Sequence, residues 1–257
     1  MSEIDNLKKK IQDLKSKLAD SDRSSRVYLQ NVAHQLTAPL GAIKWSIEAL
    51  KSDTIPLQRK SSLLSSVYSQ ATILVHLIKN FSLMSNLEAD EQLGQMRNQE
   101  IVDPMLLAIN LTNDFQPQAA DQGNKRIKVD DASFKTALPK GGIMAEKNLI
   151  AQAFSNLLEN AVKYANPDSK ILVRGEKGDG FGISVTSVGF PINKEDELRI
   201  FGRGERGDVA KQKVPPGTGI GLYLASRVMR LHQGEIRLKT EGNISQFTLL
   251  FPQSRIK

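Results

Sequence analysis

The clearest pattern of apolar and polar positions lies in the first third of the chain. Between residues 3 and 20 the apolar residues are spaced by 3, 4, 3 and 4 positions, as in a coiled-coil seam; they are Ile4, Leu7, Ile11, Leu14 and Leu18. The stretch is only about two heptads long, so an ordinary surface helix is the alternative interpretation. The next core position, Leu29, breaks the seven-residue repeat, which predicts a shift of supercoil phase near residues 21–25.

Two amphipathic helices are predicted next, over residues 26–51 and 58–87, with a turn at Pro56 between them. Each helix carries one apolar stripe. The stripes consist of Leu29, Val32, Leu36, Leu40, Ile43, Ile47 and Leu50 on the first helix, and of Leu64, Val67, Ala71, Leu74, Ile78 and Phe81 on the second. A single hairpin cannot cover both stripes, so we predict that two chains form a dimeric four-helix bundle.

A polar stretch over residues 88–94 reads as a linker, and helices and strands alternate beyond it. Helices are predicted from Asp103-Pro104 to about residue 122, over 145–165, and through 223–231. The predicted strands are 126–129, 134–138, 170–175, 182–187, 235–240 and 246–251. The pattern predicts an α+β multidomain chain in which an α/β sandwich, with helices on one face of a sheet, follows the helical hairpin.

Composition narrows the class of protein. The chain has 257 residues, 40% of them apolar and 25% charged, which is ordinary for a soluble globular protein. It has no cysteine, which excludes disulfides and thiolate metal sites. We find no apolar run of about 18 residues and no signal peptide, so we expect a cytoplasmic chain, or the soluble core of a larger sensor, with no membrane segment. The net charge of +7 comes without a basic run carrying aromatics, which argues against a nucleic-acid partner.

His34 is the candidate for chemistry on the first helix. At 100° per residue it lies opposite the apolar stripe and points to solvent. Pro39 removes a helical hydrogen bond beside it and bends the helix, at a cost of about 3 kcal/mol. Trp45 lies about 20° from His34 on the same face, which indicates either a docking surface or an aromatic that covers a bundle edge. We expect His76 to lie on the plain surface, and His232 to sit at a helix end where a cation suits the dipole.

A second group of candidates lies in the α/β region. Asn156 and Asn160 share one helix face with Lys163, and amide oxygens and a cation suit Mg²⁺ and phosphate. The run 217–222, Gly-Thr-Gly-Ile-Gly-Leu, lets backbone amides approach an anion and opens a helix. Each signal is weak alone, but together in an α/β pattern they indicate a nucleotide site.

From residue 24 to 252 the chain resembles the sensor histidine kinases of two-component signalling. Residues 34–40 resemble the H-box, 156–164 the N-box, 199–201 the F-box, 202–216 the ATP lid and 217–222 the G2 box. The resemblance implies a dimerisation and histidine-phosphotransfer domain over 24–90 and a catalytic ATP-binding domain of the Bergerat type over 98–257. The spacing of apolar residues predicts a coiled-coil segment over 1–23 before them.

The resemblance also implies roles for single residues. His34 would be the phosphoacceptor, with Gln35 beside it. ATP and Mg²⁺ would be the cofactors, with Asn160, and Asn156 as a second candidate, serving the metal. The implied nucleotide-binding residues are Asn156, Asn160, Lys163, Tyr164, Ser187, Gly189, Gly217, Gly219, Gly221 and Leu222. The implied partners are a second copy of the chain and the receiver domain of a response regulator.

Three positions depart from the family pattern. Gln35 replaces the acidic residue that follows the histidine, and an amide is not a useful base. It can still hold the imidazole tautomer. Ala38 replaces the Thr or Asn associated with phosphatase activity. Ser187 stands where the G1 box has an Asp that binds the adenine amino group, and Pro191 replaces a glycine of that box.

The sequence therefore predicts a histidine kinase that phosphorylates itself from ATP and passes the phosphate to an aspartate of a response regulator. The alternative is a degenerate kinase that acts as a dimeric adaptor or phosphotransfer module with little ATP turnover. An ATPase of the gyrase or mismatch-repair type is disfavoured, because those enzymes place a water-activating Glu where Asn156 stands.

Overall fold

The computed structural model describes residues 12, 30, 32–51, 55–90, 98–138, 140–213 and 218–257. Helix α1 covers residues 32–50. The helices and strands that follow are α2 (Leu57–Asp90), β1 (Glu100–Val102), α3 (Pro104–Asp121), β2 (Arg126–Asp130), α4 (Asp131–Ala137), β3 (Ile143–Ala145), α5 (Lys147–Tyr164), β4 (Lys170–Lys177), β5 (Gly180–Val188), α6 (Asp196–Arg199), α7 (Asp208–Lys213), α8 (Gly221–Leu231), β6 (Glu235–Glu241), β7 (Ile244–Pro252) and a 3-10 turn (Gln253–Arg255). Apart from Gln12, the predicted coiled coil and its phase shift lie outside the described residues.

Both helices of the predicted hairpin are present, and several of their apolar side chains face solvent. The exposed ones are Leu40, Trp45 and Ile47 on α1, and Leu57, Leu64, Tyr68, Val75, Ile78 and Phe81 on α2. Leu40, Ile47, Leu64, Ile78 and Phe81 belong to the predicted stripes. The single chain thus leaves part of both stripes uncovered, and the dimeric four-helix bundle stays a prediction.

Helix α2 is also relevant to whether the chain contains a membrane-spanning helix. Over Leu57–Ser85 it is long and apolar enough to cross a membrane, judged by length and composition alone, and it is the one such helix in the described part of the chain. Core helices of soluble proteins have the same composition. Its Leu83 and Met84 are buried in the core shared with the α/β region. The expectation of no membrane segment stays a prediction.

The α/β region is built on a five-stranded sheet with the order β2-β4-β5-β7-β6. Only the β2–β4 pair is parallel; β4–β5, β5–β7 and β6–β7 are antiparallel. Helices α3, α5 and α8 pack on the sheet, and the core between them contains Phe115, Phe154, Leu158, Ile183 and Phe251. This is the α+β architecture that the sequence predicts, with helices first and an α/β sheet domain after them.

One predicted strand is wrong. Residues 134–138 were expected to be extended, but Asp131–Ala137 forms helix α4. Asp130 caps this helix, because its carboxylate accepts the N–H of Ser133 at 3.3 Å and its carbonyl accepts the Ser133 hydroxyl at 2.6 Å. The capping signal of the two aspartates outweighs the weak alternation that follows them. The short antiparallel pair of β1 and β3 was missed, because three residues are too few to show a period.

Candidate functional site

A large cavity of about 1140 Å³, counted with its open mouth, lies where α5, the end of β5 and the start of α8 meet. Its wall combines the polar face of α5 with the segments 189–192, 205–210 and 218–222. Helices α1 and α2 also reach it, through Gln35, Leu77 and Asn80. One end of the cavity is therefore polar and glycine-rich, and the other is apolar.

Helix α5 supplies most of the polar end. Asn156 is only 2% exposed, and Asn160 and Lys163 follow it at four and seven residues along the same helix and line the same cavity. A Cβ atom on Gly221 would lie 3.4 Å from Oδ1 of Asn156. The N-terminus of the eleven-residue helix α8 therefore lies beside this asparagine. Unpaired N–H groups and the positive end of a helix dipole favour an anion there.

Gly219 shapes the loop in front of α8. Its φ of +65° lies in the left-handed region, and a Cβ on it would come within 2.5 Å of the Gly204 carbonyl carbon. The N–H of Gly204 donates to the carbonyl of Gly219 at 3.1 Å. Only glycine suits this close contact between the loop before α8 and the segment after α6.

Charges around the polar end are partly desolvated. Burial lowers the pKa of Lys163, and Arg206 lowers it further, while Glu159 opposes both. Burial raises the pKa of Glu159, with Lys163 opposing that rise. Burial also raises the pKa of Tyr164, which has Arg206 beside it. Two cations and one carboxylate thus surround a site suited to a multiply charged anion.

The apolar end lies where β5 ends and β7 begins. Ile192, Ile200 and Phe247 line it, together with Ser187 and Ser245. Ser187 is 6% exposed, and its Oγ lies 3.4 Å from Oγ of Ser245. Gly189 lets β5 end against α5, because a Cβ there would lie 2.1 Å from the Tyr164 carbonyl oxygen. An apolar slot that also carries the hydroxyls of Ser187 and Ser245 suits an aromatic ring with polar edges.

An ion-pair cluster that the sequence did not reveal fixes the segment after α6. Arg199 bonds the buried Asp196 and donates to Asp208 at 2.6 Å. The N–H of Asp208 donates to Asp196 at 2.9 Å. Burial alone would raise the pKa of Asp196, but the Asp208 N–H and the Arg199 guanidinium outweigh it and lower that pKa. The cluster ties the start of α7 to α6 at the rim of the cavity.

Asn80 of α2 is the polar residue that sequence reasoning missed most clearly. Its Nδ2 donates to Oδ1 of Asn156 at 2.8 Å, and its Oδ1 accepts from Nε2 of Gln152 at 2.7 Å. Among the residues that the structure describes, Nδ2 of Asn156 is buried without a hydrogen-bond partner. The side-chain amide of Asn80, on the helical hairpin, therefore donates a hydrogen bond to the oxygen of Asn156, the most buried asparagine in the cavity.

Comparison with known proteins shows which families this chain is similar to. Residues 145–255 match the family of histidine kinase-, DNA gyrase B- and HSP90-like ATPases. The sensor-like histidine kinase SenX3 of Mycobacterium tuberculosis is 28% identical over 239 residues, covering 92% of this chain and 56% of that relative. The ATPase match and relatives named as sensor histidine kinases together support a sensor histidine kinase. This chain spans about half the length of curated relatives such as SenX3.

Two solved histidine kinases share the fold of this chain. The Acinetobacter baumannii histidine kinase AdeS has a TM-score of 0.52 and 20% identity, and the match covers 86% of this chain and 98% of AdeS. Full-length ShkA, solved in complex with AMPPNP, has a TM-score of 0.55 and 19% identity, covering 88% of this chain and 45% of ShkA.

The structure brings most of the predicted site residues of this chain to one cavity. Gln35 and nine of the predicted nucleotide residues line it: Asn156, Asn160, Lys163, Tyr164, Ser187, Gly189, Gly219, Gly221 and Leu222. Gly217 lies outside the described residues. His34 is exposed on α1, one residue before Gln35, and is not among the residues that line the cavity.

The structure differs from what the sequence predicted for the other two histidines, His76 and His232. His76, expected on the surface, is 7% exposed and stacks on Phe115 with ring centroids 4.7 Å apart. It is buried because α2 packs on α3. His232 does sit at the end of α8, but it is fully buried and accepts the N–H of Glu146 at Nε2, so it is neutral rather than a cation. Burial lowers the pKa of both imidazoles.

Proposed function

We propose that this chain is an ATP-dependent protein histidine kinase. Neutral Nε2 of His34 attacks the γ-phosphorus in line, an N–P bond forms, the bond to the β–γ bridging oxygen breaks, and ADP leaves. The imidazolium then loses its Nδ1 proton to solvent. The observation that carries the proposal is the shared cavity, since Gln35, the neighbour of His34, lines the same cavity as Asn156, Asn160 and Lys163.

We assign the phosphates of the nucleotide to the polar end of the cavity and its base to the apolar end. Lys163 and the N-terminus of α8 would hold the phosphates, because both offer positive charge to an anion. The apolar slot would hold the base against Phe247 and Tyr164. The match to an ATPase family over residues 145–255 supports a nucleotide as the ligand, as does AMPPNP in the structurally similar ShkA.

The residues present also fit a magnesium ion. Mg²⁺ prefers oxygen ligands, and the amide oxygens of Asn160 and Asn156 are neutral oxygen donors on one helix face. The unpartnered Nδ2 of Asn156 is consistent with a side chain placed to contact a ligand. When bound, the ion would neutralise part of the triphosphate charge.

The chain would be divided as the sequence predicts. A coiled coil over residues 1–23 precedes a dimerisation and phosphotransfer domain over 24–90 and a catalytic domain over 98–257. The proposed partners are a second copy of the chain and the receiver domain of a response regulator, whose aspartate accepts the phosphoryl group from His34. We place this activity in the cytoplasm, on the basis of the resemblance to the cytoplasmic cores of sensor kinases.

A degenerate kinase that works as a dimeric adaptor is the second candidate, and three residues favour it. Gln35 cannot take a proton as a carboxylate would. Ala38 is exposed and has no polar group to orient water. Ser187 offers the base a neutral hydroxyl where a carboxylate would hold an amino group more firmly.

Self-labelling with ATP radiolabelled at the γ-phosphate separates the two candidates. The kinase proposal predicts an acid-labile label that His34→Ala abolishes while nucleotide affinity stays unchanged. Lys44→Ala is the matched control, because Lys44 is exposed on the same helix and its removal should leave labelling intact. An acid-labile label on His34→Ala would overturn the assignment of His34. Nucleotide binding without any label on the unmodified chain would favour the adaptor.

A further inference from the structure

A pair of serine hydroxyls lies at the apolar end of the cavity. The polar groups of this end include the buried hydroxyl of Ser187 and the half-buried hydroxyl of Ser245, which face each other across β5 and β7. The two oxygens are 3.4 Å apart, and either can act as the donor. A hydroxyl carries one proton and two lone pairs, so this pair has two hydrogen-bonding arrangements with the same heavy-atom positions.

The two arrangements present opposite groups to a ligand. When Ser245 donates to Ser187, the proton of Ser187 is free to donate to a base. When Ser187 donates to Ser245, a lone pair of Ser187 is free to accept from a base. Reversing the pair requires rotation of two hydroxyls and no movement of the backbone.

Adenine and guanine differ in the group that this position would meet. Adenine presents an exocyclic amino group, which is a donor, whereas guanine presents a carbonyl oxygen, which is an acceptor. A carboxylate at residue 187 could only accept, so it would bond adenine and repel guanine. The reversible hydroxyl pair can satisfy either edge.

A carboxylate at residue 187 would be a fixed hydrogen-bond acceptor. Among the described residues that line the cavity, no other carboxylate takes over that role. Their carboxylates are Glu159 and Glu205. Glu159 interacts with Lys163 on α5, and Glu205 lies 3.9 Å from the ammonium of Lys211. Each is held by a lysine, and neither lies on β5 or β7, where the hydroxyl pair sits.

We infer that this site binds purine nucleoside triphosphates without selecting adenine over guanine, and that the Ser187–Ser245 pair is the reason. The inference rests on the proposed nucleotide-binding function of the same cavity. Selection between bases is strong only where a site leaves a buried polar group unpaired with the wrong one. A pair that reverses leaves neither serine hydroxyl unpaired with either base, so the ratio of affinities should stay within about tenfold, or about 1.4 kcal/mol.

Calorimetric titration of the full chain with Mg²⁺ and non-hydrolysable ATP and GTP analogues tests the inference. The dissociation constants of the two analogues should agree within about tenfold. Adenine preference above that ratio would overturn the inference and leave the proposed function standing. Binding of neither analogue would overturn both.

Substitutions at residue 187 sharpen the test. Ser187→Asp should tighten binding of the ATP analogue by about tenfold and weaken binding of the GTP analogue, because a carboxylate only accepts hydrogen bonds. Ser187→Ala should weaken binding of both analogues by similar factors and leave the ratio of their affinities unchanged. Thr186→Ser is the matched control, since Thr186 lies on the same strand and does not line the cavity. A Ser187→Asp variant that keeps equal affinity for both analogues would mean that the base does not contact this pair.

Discussion

At the scale of single residues, spacing along one helix was enough to predict the polar end of the cavity. Asn156, Asn160 and Lys163 are placed by the 3.6-residue period alone, and all three line one cavity. Contacts between distant segments could not be predicted in this way. Asn80 and Asn156 are 76 residues apart, and nothing in the local pattern of α2 shows that its polar face meets α5.

His76 shows the same limit and leads to a pH prediction. Its helix position suggested solvent, but packing on Phe115 buries it, and burial lowers its pKa from 6.5 to about 4. The unfolded chain therefore binds a proton before the folded chain does. The stability contribution of this group is complete above pH 6.5 and is lost as pH falls toward 4, by up to about 3 kcal/mol.

Urea unfolding measured between pH 7.5 and pH 4.5 checks this expectation. His76→Leu should flatten the fall in the free energy of unfolding below pH 6.5, because the residue no longer titrates. A smaller slope should remain, since His232 is also buried and its pKa is also lowered. An unchanged pH dependence in His76→Leu would show that His76 is not buried in the folded chain.

At the scale of secondary-structure elements, long periodic helices were predictable and short elements were not. The boundaries of α3 follow from the cap at Asp103, which accepts the N–H groups of Met105 and Leu106 at 2.9 and 3.0 Å. Helix α4 and strands β1 and β3 are too short for their pattern to decide their type. Helix α2 is recognisable from its sequence, but its docking on α5 through Asn80 is a tertiary contact.

The docking of α2 predicts an effect on ligand affinity. Asn80 donates to Oδ1 of Asn156, an oxygen proposed to serve Mg²⁺, so we expect this hydrogen bond to compete with metal-nucleotide binding. A net hydrogen bond is worth about 1 kcal/mol, so Asn80→Ala should tighten binding of the Mg²⁺-nucleotide complex by about fivefold. Titrations with and without Mg²⁺ should show the gain only when the metal is present.

A neighbouring position provides the control for this experiment. Ser82 is exposed on α2, and Ser82→Ala should leave both affinities unchanged. Weaker binding in Asn80→Ala would mean that Asn80 supports the site rather than competing for Asn156.

At the scale of the whole molecule, the sequence predicted the order of the two parts from the change of period near residue 88. A 3.6-residue period gives way to alternating helices and strands, and the structure has the helical hairpin first and the sheet domain after it. The position of the hairpin over the cavity could not be read from the pattern. It depends on which polar residues of α1 and α2 meet α5.

The assembly of two chains is the last prediction, and it rests on the uncovered stripes. Ile78 is 57% exposed and Leu64 is 59% exposed in the single chain, although both belong to the apolar stripe of α2. Burying such a surface contributes about 25 cal/mol per Å², which favours pairing of two hairpins. Light scattering at micromolar concentration should therefore report about twice the 28.4 kDa chain mass.

A charge placed in the stripe should reverse this assembly. Ile78→Glu would bury a carboxylate between the hairpins without a partner, which is costly, so its mass should fall toward that of one chain. Lys60→Glu is the matched control, because Lys60 is exposed near the start of the same helix and outside the stripe, and it should leave the mass doubled. A monomer for the unmodified chain would remove the four-helix bundle, and phosphate transfer would then have to occur between His34 and the cavity of the same chain.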